Sequence, residues 1–133
     1  MPKTLITPQT ASRAGVKAVP VTLDATNGNY VAPFTGLELF LFANASGTTD
    51  YTVTFTAQSA DPRGNKTNLV VTVSHTNNGT MAAALIVGPF QYADWYDSSQ
   101  AGLDVTAQAT ASTNLTAIVV TNPVNNPAAT TGG

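Results

Sequence analysis

The chain contains a single histidine, and most forms of nucleophilic catalysis would have to include it. His75 follows the apolar run LVVTVS and precedes the sequence TNNG at 76–79, which is typical of a hairpin turn. A Ser/His/Asp or Cys/His site would depend on this imidazole. No G-x-S-x-G motif and no cysteine accompanies it in the sequence. We therefore predict that His75 is an exposed or hydrogen-bonded turn residue, and that the protein is not an enzyme.

Two carboxylates offer the next candidate for chemistry. Asp94 and Asp97 are three residues apart in the segment GPFQYADWYDSS and could pair for acid/base work or bind calcium. An EF-type calcium loop has oxygen ligands at alternating positions, a central glycine and a closing glutamate, and only fragments of that pattern are present. Zinc is disfavoured by the absence of cysteine, and both phosphate-binding glycine motifs are missing. We predict solvated turn carboxylates, with no catalytic residue, no metal and no cofactor.

Residues 88–97, with the sequence GPFQYADWYD, hold four of the ten aromatic side chains. If Phe90 or Trp95 turns inward, this segment is a plug that closes one end of the fold. Trp and Tyr also dominate the energetics of protein interfaces, so the segment could instead anchor a partner. Tyr92 and Tyr96 are then the side chains most expected at the surface. Both interpretations remain open from the sequence.

The few charged side chains are unevenly distributed along the chain. Only 9% of the residues are charged, and the net charge is −2, which excludes the basic face of a general nucleic-acid binder. Three of the five basic residues precede the first acidic residue, Asp24, and this pattern indicates a basic arm on an acidic body. The predicted partner contacts are Lys3, Leu5, Ile6, Arg13, Val16 and Lys17 in the arm, and Tyr92, Trp95 and Tyr96 in the aromatic segment.

The composition and the turn signals predict one domain flanked by arms. Residues 1–18 and 123–133 are rich in Pro, Gly and small residues and lack periodicity, so we expect an N-terminal arm, a domain at 19–122 and a C-terminal tail. No signal-type apolar run occurs at the start, and no stretch of about 20 apolar residues suits a membrane span. We expect synthesis in the cytoplasm and no membrane partner.

Short apolar segments alternate with turn sequences such as Asn-Gly, Ser-Gly and Asp-Pro-Arg-Gly, at the spacing typical of a β-sandwich. The segments 51–57 and 103–109 alternate strictly, so each buries one face. The segments 37–44 and 115–121 are apolar on both faces, which indicates central strands or a surface covered by another subunit. The sequence predicts an all-β fold, a single jelly-roll-like β-sandwich of seven or eight antiparallel strands, with less than about one-tenth helix. The predicted strands are 19–23, 37–44, 51–57, 69–74, 81–87, 103–109 and 115–121.

The order of several of these segments resembles a known family. The runs LELFLFAN at 37–44 and YTVTFT at 51–56, then VGPF at 87–90, Tyr-Asp at 96–97 and GLDVT at 102–106, are similar to the decoration or cement proteins of tailed-bacteriophage heads. The match spans roughly residues 19–120, and the stretch from Gly-Pro-Phe to Tyr-Asp is its most specific part. The chain departs from the family at residues 91–95, where relatives tend to have a second proline.

The resemblance implies a β-sandwich that binds the outer surface of the assembled head. Such a protein bridges major capsid subunits, often as a dimer or trimer, and stabilises the shell against the pressure of the packaged DNA. Its location is the virion. Two other classes remain as alternatives: a carbohydrate- or host-surface-binding sandwich that uses Tyr92, Trp95 and Tyr96 as a platform, and a small hydrolase with a pocket around His75.

Overall fold

A computed structural model of the protein describes residues 3–58, 67–75 and 84–121. This part of the chain is 44% strand and 8% helix, which confirms the all-β prediction. Its elements are β1 (Thr4–Ile6), β2 (Gln9–Thr10), β3 (Val21–Thr22), β4 (Asn29–Val31), β5 (Glu38–Asn44), β6 (Tyr51–Phe55), β7 (Leu69–Val73), β8 (Leu85–Val87), α1 (Tyr92–Trp95), β9 (Tyr96–Asp97), β10 (Gly102–Ala107), a 3₁₀ turn (Ala109–Ala111) and β11 (Leu115–Thr121).

Two mixed sheets pack face to face and form a β-sandwich. The front sheet has the order β1-β4-β10-β6-β7, with β9 paired to β10, and the back sheet has the order β2-β11-β5-β8, with β3 paired to β11. The prediction of antiparallel pairing is confirmed for the long strands, whereas β1 and β2 pair in parallel with β4 and β11. The described residues contain eleven strands instead of seven or eight, and jelly-roll connectivity stays a prediction.

The two strands that are apolar on both faces lie next to each other inside the back sheet. β5 and β11 pair along seven residues, from Leu115 opposite Asn44 to Thr121 opposite Glu38. The prediction of central strands is confirmed by this position. Side chains alternate across a strand, so Phe40 faces the core while its neighbours on either side face outward.

The core is built around phenylalanine rings from both sheets. Phe40, Phe42 and Phe55 are fully buried. The Phe40 and Phe55 centroids are 5.1 Å apart in an edge-to-face arrangement, and Phe42 lies 5.9 Å from Phe55. Such pairs stabilise a core beyond the area they bury. The rings therefore join the front sheet to the back sheet.

Two N-terminal strands are part of the sandwich, so the prediction of an arm over 1–18 is wrong for Thr4–Ile6 and Gln9–Thr10, and Ile6 lies in the core. β1 extends the front sheet, β2 extends the back sheet, and Ile6 is only 3% exposed within the core. Strands of two or three residues are too short to show an alternating pattern, which explains the error. Residues 12–20 are exposed, as expected of an arm. The predicted tail at 123–133 and the first residues of the predicted strand 81–87 lie outside the described residues.

A buried carboxylate, which the sequence analysis did not identify, joins two parts of the back sheet. Glu38 is fully buried and accepts hydrogen bonds from the backbone N–H groups of Thr35 and Gly36, both at 3.0 Å. It also accepts from the hydroxyls of Thr35, at 2.9 Å, and Thr121, at 2.8 Å. Because these bonds satisfy a carboxylate that is buried from water, Glu38 fixes the loop before β5 against the end of β11.

The turn before β4 contains a carboxylate whose titration reports on the position of β1. Asp24 accepts from the backbone N–H of Asn27 at 2.9 Å and from the Thr4 hydroxyl at 2.7 Å. These bonds, the Asn27 N–H first, lower the pKa of Asp24 from 3.8 to about 2. A depressed pKa in the folded state means that the stabilisation is present above about pH 4 and is lost as the pH falls through about 2.

We expect Thr4→Val to raise the pKa of Asp24 toward its ordinary value, because the variant removes one donor to the carboxylate while keeping the shape of the side chain. The measurement is a carboxyl NMR titration of both proteins. An unchanged midpoint near 2 in the variant would show that β1 does not reach this turn in solution.

Candidate interaction surface

The inner end of the aromatic segment, residues 88–97, packs into the core as a plug. Phe90 is 5% exposed, and its ring centroid is 4.6 Å from that of Phe55 and 5.9 Å from that of Phe40. Trp95 packs edge-to-face on Phe90 at 5.1 Å and is partly buried against the core. The plug interpretation is therefore confirmed for Phe90 and Trp95.

The outer end of the same segment reaches the surface. Tyr92 is 46% exposed and stacks on Tyr96 at 4.6 Å and on Phe34 at 5.8 Å. Partial desolvation and the neighbouring Tyr96 raise the pKa of Tyr92. The backbone packs closely here, because a Cβ at Gly36, which has φ of 91°, would lie 3.2 Å from the Tyr92 backbone nitrogen. Tyr92 is thus held between two stacked ring contacts while almost half of its surface stays exposed.

His75 is hydrogen-bonded and partly exposed, as predicted, whereas the predicted turn at 76–79 lies outside the described residues. Its Nδ1 is 2.6 Å from Oδ1 of Asp50, and its backbone N–H donates to the same oxygen at 2.9 Å. These bonds, the backbone N–H first, lower the pKa of Asp50. The two side chains are 37% and 49% exposed. One carboxylate oxygen of Asp50 thus contacts both the backbone N–H and the ring of His75, and it connects the residue before β6 to the chain that follows β7.

Asp97, one of the two predicted turn carboxylates, has hydrogen-bond partners close to it in the sequence. Asp97 accepts from the hydroxyl of Ser99 at 2.6 Å, from its backbone N–H at 2.9 Å and from Gln100 Nε2 at 2.7 Å. These bonds, that of the Ser99 hydroxyl first, lower the pKa of Asp97. Among residues 3–58, 67–75 and 84–121, no group of three or more His, Cys, Asp and Glu side chains has the geometry to hold a metal ion.

Lys3 is directed toward the body of the protein. Its ammonium group donates to Asp104, whose side chain is 8% exposed and also accepts from Gln100 at 3.3 Å. Because its charge is engaged within the chain, Lys3 is less available to a partner than the sequence analysis predicted. Of the other arm residues, Ile6 is buried in the core, and Leu5 is 49% exposed on the edge strand β1.

Residues 11–20 form an exposed loop between β2 and β3, which we call the basic loop. The side-chain amide of Gln9 donates to the Lys17 carbonyl at 2.6 Å and accepts from the Val19 N–H at 2.7 Å. Arg13 and Lys17 are exposed, and Val16 and Val19 are 54% and 56% exposed. The loop therefore brings together three of the predicted contacts, Arg13, Val16 and Lys17.

The outer surface of the back sheet is apolar where β5 and β8 pair. Leu39 is 36% exposed, Leu41 is half-buried, and Ile86, directly opposite Leu41 on the edge strand β8, is 66% exposed. We call Leu39, Leu41 and Ile86 the apolar face. These three residues are not among the predicted contacts, although the segment 37–44 was predicted to be apolar on both faces.

The outer surface of the front sheet has a different character. Threonines lie opposite each other there, Thr54 with Thr106 and Thr52 with Thr72, and Val70 is exposed near its edge. A wet outer surface of this kind is usual for an antiparallel sheet. The contrast between the two sheets makes the apolar face the stronger candidate for an interaction surface.

Comparisons of the chain with protein-family models, with curated proteins and with solved structures return no match. No relative therefore assigns a function, and the resemblance to decoration proteins stays a prediction. Within the described ranges, no helix is long and apolar enough to cross a membrane.

Proposed function

We propose that the protein is a decoration protein that binds the outer surface of a tailed-phage head and bridges major capsid subunits. The apolar face carries this proposal. An isoleucine that is 66% exposed beside two outward leucines is unusual on a sheet that faces water, because burying such side chains against a partner is favourable. The resemblance of residues 37–44, 87–90 and 102–106 to decoration proteins supports a capsid shell as that partner.

The physical mechanism is bridging by many weak contacts. Each copy needs only modest affinity for the shell, since a copy that contacts two subunits converts the second contact into an intramolecular one. A dimer or trimer of the chain would strengthen the effect in the same way. No bound cofactor and no chemical step is required.

The geometry of the aromatic segment does not favour carbohydrate binding. A sugar stacks on the open face of an aromatic ring, and Tyr92 already stacks on Tyr96 and on Phe34. Trp95 packs on Phe90 and is partly buried. Each of the three candidate rings therefore already contacts a ring of the same chain, which weakens the case for a sugar platform.

A pelleting assay with undecorated heads of the phage that encodes the chain tests the proposal. We expect Ile86→Asp to lower the affinity for the heads roughly ten-fold or more, because a buried Ile contributes about 1.5–3 kcal/mol and a charge in its place adds a desolvation cost. Both Ile86 and its control, Val70, are exposed strand residues, so neither substitution should unfold the domain. Circular dichroism melting curves check this.

The control variant Val70→Asp places the same charge on the outer surface of the front sheet. We expect it to bind like the wild type. Equal losses in the two variants would assign the effect to net charge, and undiminished binding of Ile86→Asp would remove the apolar face from the contact.

A further inference from the structure

The basic loop contains cations with no partner in the part of the chain that the structure describes. Lys3, the third described cation, is paired with Asp104, whereas Arg13 and Lys17 are exposed and form no ion pair with a described residue. We propose that the basic loop is a second docking contact, and that it binds an acidic patch on the capsid shell protein. This inference rests on the proposed function and adds the chemistry of the partner surface.

Hydrogen bonds tie the loop to β2 and stabilise its tip. Gln9 is fixed in β2, opposite Val120, and both ends of its amide are used, one on the Lys17 carbonyl and one on the Val19 N–H. At the tip, the Gly15 N–H donates to the Ser12 carbonyl at 3.0 Å. Fixing a loop in this way lowers the conformational entropy that is lost on binding. More of the favourable free energy of a small contact then remains as affinity.

The exposed side chains of the loop indicate the chemistry of the partner surface. Arg13 and Lys17 supply positive charge in a protein whose net charge is −2, and Val16 and Val19 supply apolar surface. A protein surface with carboxylates around a small apolar area is complementary to this set. Two cations on an acidic protein are too few to hold a nucleic-acid backbone at physiological salt, so a nucleic acid is not favoured.

The test compares two double charge reversals in the pelleting assay, across a salt series. Arg13→Glu with Lys17→Glu alters the basic loop, and Arg63→Glu with Lys66→Glu makes the same change of charge at residues outside the described ranges. We expect the loop variant to raise the dissociation constant about ten-fold or more at low salt, with a smaller difference at high salt. The control variant should bind like the wild type.

Several results of this experiment would overturn the inference. Equal losses in the two double variants, or none in the loop variant, would overturn the inference while the proposed function stands. A wild type that does not bind the heads would overturn both. Loop-dependent binding to duplex DNA, measured in parallel with the heads, would replace the acidic protein patch by a nucleic acid.

Gln9→Ala separates the conformation of the loop from its charge. The variant keeps both cations and removes both amide bonds, so we expect faster hydrogen exchange at the Val19 N–H and a rise in the dissociation constant of about three-fold. Faster exchange with unchanged affinity would show that the conformation of the loop does not contribute to binding.

Discussion

Replacing Gly102 by Ala is expected to destabilise the protein by about 3 kcal/mol. Gly102 begins β10, and a Cβ at this position would lie 2.2 Å from the carbonyl oxygen of Val31 on the neighbouring strand β4. No side-chain rotation relieves an overlap with backbone, so β4 and β10 would have to separate. The measurement is the free energy of unfolding from urea denaturation.

Gly47→Ala is the matched control, because a Cβ at Gly47 meets no atom within 4 Å and the residue has an ordinary φ. We expect its stability to stay within about 0.5 kcal/mol of the wild type. If the two glycine variants have the same stability, the close approach of β4 and β10 is not present in solution.

Phe55→Ala is expected to cost roughly 3–5 kcal/mol, because it leaves a cavity at the centre of the sandwich. The ring is fully buried and lies 4.6 Å from Phe90 and 5.1 Å from Phe40, measured between centroids. Phe90→Ala removes the partner ring from the plug and should have a cost of the same order. Thermal and urea unfolding monitored by circular dichroism measure both losses.

His75→Ala is expected to change the stability of the protein little, in contrast to the two phenylalanine variants. Its ring is 37% exposed and bonds an exposed carboxylate, so the change in stability should stay within about 0.5 kcal/mol. A large loss of stability, or loss of an enzymatic activity found in the wild type, would overturn our interpretation of His75. A small loss for Phe55→Ala would likewise contradict the described core.

The sequence predicted the long strands well because their patterns are strong enough to be seen locally. β11 occupies the predicted residues 115–121 and β5 begins one residue inside 37–44. Both are seven residues long, so their apolar composition on two faces is clear. The four strands that the sequence analysis missed, β1, β2, β4 and β9, have two or three residues each. Their existence depends on pairing with distant segments.

The candidate contacts were predicted less well because the pairing and burial of their side chains depend on residues far away in the chain. Lys3 lies in a segment whose composition is typical of a free arm, yet its side chain pairs with Asp104, 101 positions later. Ile6 is in the core because β1 aligns it with Val31. Ile86 belongs to an apolar segment in which the buried and exposed positions cannot be assigned until the register with β5 is known.

The most direct test of the central claim is the amount of wild-type protein on phage heads. Quantitative mass spectrometry of purified particles should find the chain at a fixed, simple ratio to the major capsid protein. The pelleting assay with undecorated heads should saturate at that same ratio, because a decoration protein occupies equivalent positions on a regular lattice. Absence of the chain from purified particles, together with binding that does not saturate, would contradict the account.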